Sequence, residues 1–291
     1  MTKSIDGVSI VIAVYNEEGA ITPTIEGARR ALEPGPIPFE IIIVDDGSSD
    51  STGELAGRAG AVVCRNPHNV GYGRSLKRGI ALAKHDTIVI VDADGTYPLD
   101  RIPSMIERYR QGFDMVVGQR SGERLNETVV KGLLRRVLKF IVEYSAGRKV
   151  PDVNSGLRVF SRAAVMEHFP HLCDTFSFTT SMTLAYMMNG RFVAYEPIDY
   201  HDRIGKTKVR LFREALRTLQ FILQATIYYN PLKFFLLISF VCLIIAIITF
   251  ALAMIFQIAS GFLLGVGIIL VALLIFAMGL LADLLRQIMA K

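Results

Sequence analysis

The chain has 291 residues, 51% of them hydrophobic and only 20% charged, with a net charge of +5. This composition excludes an intrinsically disordered protein. Mean hydropathy is +0.39, high for a soluble domain, and the apolar excess is concentrated near one end. Cys64, Cys173 and Cys242 have neither metal-ligand nor redox spacing, so no disulfide framework or cysteine metal site is expected.

In chain order, Val8–Val14 is a continuous apolar run, and Glu40–Val44 and Thr87–Val91 are similar. Such runs suit strands buried on both faces, as in a parallel sheet. Helical patterns separate them, at roughly Glu18–Leu32, Ser51–Gly60 and Gly73–Ala83. The alternation predicts an α/β sheet with crossover helices. After Gly118 the pattern shortens. Leu133–Tyr144 is predicted as a basic amphipathic helix, and Arg158–Phe160, Arg191–Tyr195 and Ile198–Tyr200 as short strands. Val209–Tyr229 reads as a second amphipathic helix suited to lie in a membrane surface.

Between Lys233 and Asp283 the sequence has no charged residue. As one helix these roughly 50 residues would be about 75 Å long, against a hydrocarbon core of about 30 Å. The segment is therefore expected to fold back once, with spans at about 234–256 and 262–282 and a turn near Gln257–Gly261. Met1–Gly7 is polar and Val8–Val14 too short for a signal h-region, so the body is expected in the cytosol. Basic residues flank the hairpin on both sides and are missing from its turn, which predicts cytoplasmic termini. Segments 131–149 and 203–217 each carry a net +5, which leaves −5 on the remainder. Two basic segments on an acidic body point to an anionic partner, to anionic lipid headgroups, or to both.

The apolar strands end in acids. The first runs into Tyr15-Asn16-Glu17-Glu18, the second into Asp45-Asp46-Gly47-Ser48-Ser49-Asp50, the third into Asp92-Ala93-Asp94-Gly95. In open α/β sheets, ligands bind beyond the carboxyl ends of the strands. Ser48, Ser49 and Asp50 equally suit turn or cap roles. Asp92 and Asp94, two apart at a strand end, are placed to aim two carboxylates the same way and to need a cation. Oxygen ligands favour Mg²⁺ or Mn²⁺, usually bound together with substrate phosphates. Asp92-Ala93-Asp94-Gly95-Thr96 also fits the opening motif of haloacid-dehalogenase-like phosphatases, but no later acidic pair completes that site. Asn69-Val70-Gly71-Tyr72-Gly73-Arg74 is a weak dinucleotide-binding signal, and no P-loop is present. His201-Asp202-Arg203-Ile204-Gly205-Lys206-Thr207-Lys208 offers several cations around a glycine, suited to phosphate oxygens.

Together these strings resemble family 2 glycosyltransferases of the GT-A fold, and among them the polyprenyl- and dolichyl-phosphate sugar synthases. The resemblance covers roughly Val8–Val209 and the membrane hairpin that follows. Ala13-Val14-Tyr15-Asn16-Glu17 matches the family's P-x-Y-N-E with Ala for Pro. Asp45–Asp50 match D-D-G-S-x-D, and Gly118-Gln119-Arg120 the G-x-R after the next strand. Asn154-Ser155-Gly156-Leu157-Arg158 resembles the S-G-[FL]-R turn. Arg203 to Lys208 resemble the closing R-x-x-G-x-S-K, one residue tighter and with Thr for Ser.

The resemblance implies a nucleoside site at Ala13, Tyr15, Glu17, Val44 and Asp46. It implies a metal and diphosphate site at Asp92, Ala93 and Asp94, with Asp92 and Asp94 as the metal ligands. Asp94, Arg120, Arg203 and Lys208 would carry the chemistry. Gly95-Thr96-Tyr97 stands where mannose synthases have Leu-Gln, which leaves the base and sugar open. Ser177–Leu184 lacks the catalytic acid of members that use hydroxyl acceptors, and the chain has no Trp for the Q-x-x-R-W of processive synthases. A hydroxyl nucleophile needs a general base. An ionised phosphate does not, so a lipid phosphate acceptor is favoured.

The expected protein has a GT-A domain at 1–208, a juxtamembrane helix at 209–230 and two spans in 231–291. It is expected to act as an inverting, metal-dependent hexosyltransferase on the cytoplasmic membrane face. Its partners would be a nucleotide diphosphate sugar, a polyprenyl phosphate and membrane lipids, with no nucleic acid. Gly265, Gly267 and Gly279 permit close helix packing, which leaves homo-oligomers open. The alternatives are transfer to a neutral lipid such as diacylglycerol, with Asp152 as the best available base, and a silent nucleotide-binding scaffold.

Overall fold

The structure is a computed structural model that describes residues 3–121, 129–201 and 211–289. It divides into two compact units, Met1–Phe221 and Ile222–Lys291.

The first unit is built on a seven-stranded sheet. Its strands are β1 (Val8–Val14), β2 (Phe39–Asp45), β3 (Val62–Arg65), β4 (Thr87–Ile90), β5 (Met115–Ser121), β6 (Arg158–Ser161) and β7 (Val193–Asp199), in the order β3-β2-β1-β4-β6-β5-β7. β1 is paired in parallel with both β2 and β4, which is why its sequence is apolar on both faces. Ile10 and Ile12 join the core under α1 (Glu18–Leu32). Val11 points the other way, toward α3 (Tyr72–Leu82), where a Cβ on Gly79 would fall 2.4 Å from Val11 Cγ1. Helices therefore cover both sheet faces. The remaining helices of this unit are α2 (Thr52–Arg58), α4 (Ile102–Arg110), α5 (Val129–Ala146), α6 (Arg162–Met166) and α7 (Phe178–Met188). The boundary between the units falls within α8 (Leu211–Tyr229).

The sheet departs from the expected parallel pattern at one strand. β6 runs antiparallel between β4 and β5, with Ile88 opposite Phe160 and Val116 opposite Val159. The two short strands expected at 191–195 and 198–200 are a single strand, β7, running through Pro197. Proline is tolerated there because β7 is an edge strand. Helix α7 has no amphipathic stripe because every residue from Phe178 to Met187 is buried, its threonines and serine included, and a helix buried all round has no stripe to read.

The second unit holds α9 (Pro231–Phe256) and α10 (Ala259–Met289), both long and apolar enough to cross a membrane. The turn is shorter than expected, because Gln257 ends α9 in the left-handed region (φ 55°). α10 continues past Ala282 to Met289, so its 31 residues span roughly 46 Å. Gly279 lets Phe235 approach, its notional Cβ falling 2.6 Å from Phe235 Cβ, and Gly265 lies against Phe250. Gly261, close to Ala253, packs within the hairpin as well, while a Cβ placed on Gly267 would meet nothing within 4 Å.

Candidate active site

The acidic strand ends meet at the carboxyl edge of the sheet. β1 ends at Val14, and Asn16 takes a left-handed conformation (φ 52°) that turns the chain into α1. Asn16 is locked in place: its N–H donates to Ser48 Oγ (2.9 Å), and its Oδ1 accepts from Ser49 N–H (2.8 Å). The serines after β2 thus join two strand-end loops. Asp46 is buried. Its carboxylate accepts from Val70 N–H (2.9 Å), Gly71 N–H (3.0 Å) and Asn66 Nδ2 (2.8 Å), which fixes the approach to α3. Gly71 is required in that approach, because φ is 104° and a Cβ would lie 2.7 Å from Asp174 O.

These loops enclose a cavity of about 360 Å³. Ala13, Tyr15, Glu17, Asp46, Asp92, Ala93 and Asp94 all line it, as the sequence leads one to expect. Its other walls come from Asn69, Gly71 and Tyr72 before and at the start of α3, where the sequence carried only a weak nucleotide-binding pattern, from Asn154 and Gly156 in the turn before β6, which entered only through the family resemblance, and from Phe176 and Thr179 just before and in α7. Tyr72 donates its hydroxyl to Asp92 Oδ1 at 2.7 Å. Burial and the neighbouring Asp92 charge raise the Tyr72 pKa well above its ordinary value, so the hydroxyl keeps its proton. Thr96 donates to Asp94 Oδ1 through both Oγ1 (2.5 Å) and N–H (3.2 Å). Gly156 abuts Asp92: a Cβ there would fall 2.4 Å from Asp92 Oδ2, and its N–H donates to the Tyr97 hydroxyl at 2.6 Å.

Two expected site residues sit elsewhere. Val44 is fully buried and faces α3, with Gly79's notional Cβ 2.9 Å from its Cγ2. It is a core residue and does not line the cavity. Arg120 is also absent from the walls. Its Nε and Nη2 grip the two Asp152 oxygens at 2.7 and 2.9 Å, and its guanidinium lies 5.3 Å from the Tyr200 ring centre. The guanidinium is thus paired within the protein and is not presented to the cavity. The same pair makes Asp152 a weaker base than a free carboxylate. Burial opposes its charge, but the Arg120 hydrogen bonds outweigh burial and hold its pKa below the ordinary 3.8. Arg158 is fully buried. It donates to Ser155 O, Val153 O and Thr183 Oγ1 at 2.7–2.8 Å, clipping the turn that carries Asn154 and Gly156. Arg203 and Lys208 lie outside the described residues.

The Arg120–Asp152 pair makes stability depend on pH. The folded pKa of Asp152 is depressed, so its contribution is present above the unfolded value near 3.8 and is lost as pH falls through the lower, folded value. Asp152→Asn should remove that acid-side loss and destabilise the first unit by about 2–4 kcal/mol at neutral pH, because Arg120 is left half-paired in a largely buried setting. Chemical denaturation at pH 7 and pH 3.5 measures both effects.

Residues 9–169 match the model of glycosyl transferase family 2. The chain belongs to this family. It is 34% identical over 224 residues to the low-salt glycan biosynthesis hexosyltransferase Agl6 of Haloferax volcanii, covering 74% of this chain and 52% of that one. It is 28% identical over 214 residues to the dolichyl-phosphate hexose transferase of the same organism, covering 71% and 88%. The chain thus spans about half the length of the first of these relatives. Among solved structures it resembles glucosyl-3-phosphoglycerate synthase of Mycobacterium tuberculosis in complex with Mn²⁺, UDP-glucose and glycerol 3-phosphate. That likeness has a TM-score of 0.62 at 21% identity and covers 76% of this chain and 80% of the other. It establishes a GT-A-like fold, followed here by two candidate membrane helices.

Proposed function

We propose that the protein is a membrane-bound glycosyltransferase that moves a hexose from a nucleotide diphosphate sugar to a polyprenyl phosphate, with inversion at the anomeric carbon. The observation that carries this reading is the convergence of Asp92 and Asp94 with Ala13, Tyr15, Glu17 and Asp46 in one cavity of a family 2 chain. The dolichyl-phosphate acceptor named for one relative and the two apolar helices support a lipid phosphate as acceptor.

The residues fit a divalent cation. Asp92 and Asp94 supply hard carboxylate oxygens to one cavity, suited to Mg²⁺ or Mn²⁺. Among the described residues no group of three or more His, Cys, Asp or Glu could hold a metal ion, so substrate phosphates would have to complete the shell. When bound, the cation would offset the charge of the diphosphate leaving group.

The chain's own residues hold and orient the substrates. Ala13, Tyr15, Glu17 and Asp46 form the nucleoside end, Asp46 partly by fixing the loop at Val70 and Gly71. Arg203 and Lys208 orient the acceptor phosphate. One of its ionised oxygens attacks the anomeric carbon as the bond to the diphosphate oxygen breaks. The bonding pair leaves with the nucleoside diphosphate, and no proton has to be removed. α7 is buried and contributes Thr179, and no carboxylate, to the cavity wall.

Detergent-purified protein, screened with UDP- and GDP-hexoses, Mn²⁺ or Mg²⁺ and a short polyprenyl phosphate, should give a glycosylated lipid phosphate detectable by mass. Absence of that product with every donor counts against the reading. The proposed topology has both flanks of the hairpin in the cytoplasm. A reporter fused after Lys291 should be active only as a cytoplasmic reporter, and external activity would reject this orientation.

A further inference from the structure

The two carboxylates of the acidic pair are held in different ways. Asp94 is fixed within its own turn, by both donors of Thr96. Asp92 is held from two distant segments. Tyr72, the first residue of α3, donates its hydroxyl to Oδ1 at 2.7 Å. Gly156 approaches from before β6, close enough that any Cβ would strike both carboxylate oxygens, at 2.4 and 2.8 Å. The Tyr72 ring is itself braced, stacked on Phe176 at 5.9 Å between centres and 9° between planes. The segment carrying Phe176 is tied back to α3, where Lys77 Nζ donates to Leu172 O and to Asp174, each at 2.6 Å.

We infer that Tyr72 is a positioning residue of the cation site, whose hydroxyl sets the orientation of the Asp92 carboxylate. The inference rests on the metal-dependent reading above. The terminal torsion of an aspartate is broad and roughly two-fold, so an unaided carboxylate at a strand end samples many orientations. A small hard cation such as Mg²⁺ demands near-ideal geometry from its few protein ligands. The Tyr72 hydroxyl occupies a lone pair of Oδ1 and fixes the carboxylate plane, with Gly156 closing one side. A tyrosine suits the task because its stacked ring delivers the donor rigidly across the gap from α3, while the same ring forms part of the cavity wall. Outer partners of this kind are typically worth 10- to 100-fold in metal affinity.

The test uses full-length protein in detergent. Mn²⁺ is titrated with UDP present and, in a parallel series, with GDP, and free Mn²⁺ is followed by its paramagnetic resonance signal. Tyr72→Phe keeps the ring, the stack and the wall and removes one oxygen. The expected result is a rise in Mn²⁺ Kd of about 10- to 100-fold, with a thermal unfolding midpoint close to that of the unaltered protein. A folded Tyr72→Phe protein with an unchanged Kd overturns the inference. Should Tyr72→Phe fail to fold, Phe176→Leu replaces it, since it keeps the hydroxyl but removes its brace. A several-fold weaker Kd then supports the inference, and an unchanged Kd overturns it. If the unaltered protein binds no Mn²⁺ with either nucleotide, the metal-dependent reading falls, and the inference with it. That result differs from normal binding left unmoved by the substitution, which refutes the role of Tyr72 alone.

Discussion

Excess EDTA should abolish sugar transfer, and Asp94→Asn should lower turnover by about 100-fold or more while the protein stays folded. Both effects follow from charge. Asp92 and Asp94 line the same cavity, and a diphosphate brought beside two carboxylates is repelled unless a cation intervenes. Two unit charges about 4 Å apart still interact by roughly 4 kcal/mol at the effective dielectric near a protein surface. A cation at a leaving group supplies several kcal/mol, and each 1.36 kcal/mol is about tenfold in rate. Folding should survive because an asparagine carbonyl can still accept the two Thr96 hydrogen bonds that now go to Asp94 Oδ1. The check is turnover with and without Mn²⁺, beside thermal unfolding of both proteins. Undiminished transfer in excess chelator would remove the cation from the mechanism.

The residues that make this prediction possible were legible because charge at the end of an apolar run is a local signal. Val8–Val14, Glu40–Val44 and Thr87–Val91 are each followed within a few residues by carboxylates, and strands that pair side by side in parallel bring those ends together. The other wall of the cavity has no such signal. Asn154 joins the cavity and Gly156 reaches Asp92 because β6 runs antiparallel beside β4, a pairing between segments about 70 residues apart in the chain. Phe176 and Thr179 arrive with α7, whose uniform burial hides its helical period. The string around Gly71-Tyr72-Gly73 was visible, but as a weak nucleotide-binding pattern. Its glycines make room for the carbonyls of Asp174 and Cys173, which no spacing rule announces. Arg120 illustrates the same limit. The family resemblance marks it as a phosphate ligand, yet it lies within β5 and pairs with Asp152, 32 residues further on, a contact no local pattern announces.

Acceptor choice should divide sharply, with transfer to polyprenyl phosphate and none to the matching polyprenol or to diacylglycerol. A phosphate monoester is ionised above a second pKa of roughly 6, so its attacking oxygen needs neighbouring positive charge and no base. A lipid alcohol must lose a proton as it attacks. Asp152, the one carboxylate the sequence offered for that task, is bound through both oxygens to Arg120 and has a depressed pKa, which makes it a weak proton acceptor at neutral pH. α7 supplies no substitute: between Phe178 and Met188 its polar side chains are threonines and a serine. The cost of losing positive charge should therefore exceed the cost of losing any carboxylate beyond Gly118. Removing one charge-assisted contact costs about 1.5–3 kcal/mol, or roughly 10- to 150-fold, so Arg203→Ala and Lys208→Ala should each lower kcat/KM for the lipid phosphate by that much or more. Asp152→Asn should retain donor and cation binding at temperatures where it remains folded. Rapid transfer to a neutral lipid alcohol, lost in Asp152→Asn and kept in Arg203→Ala, would reverse the assignment, because only a base-dependent reaction behaves in that way.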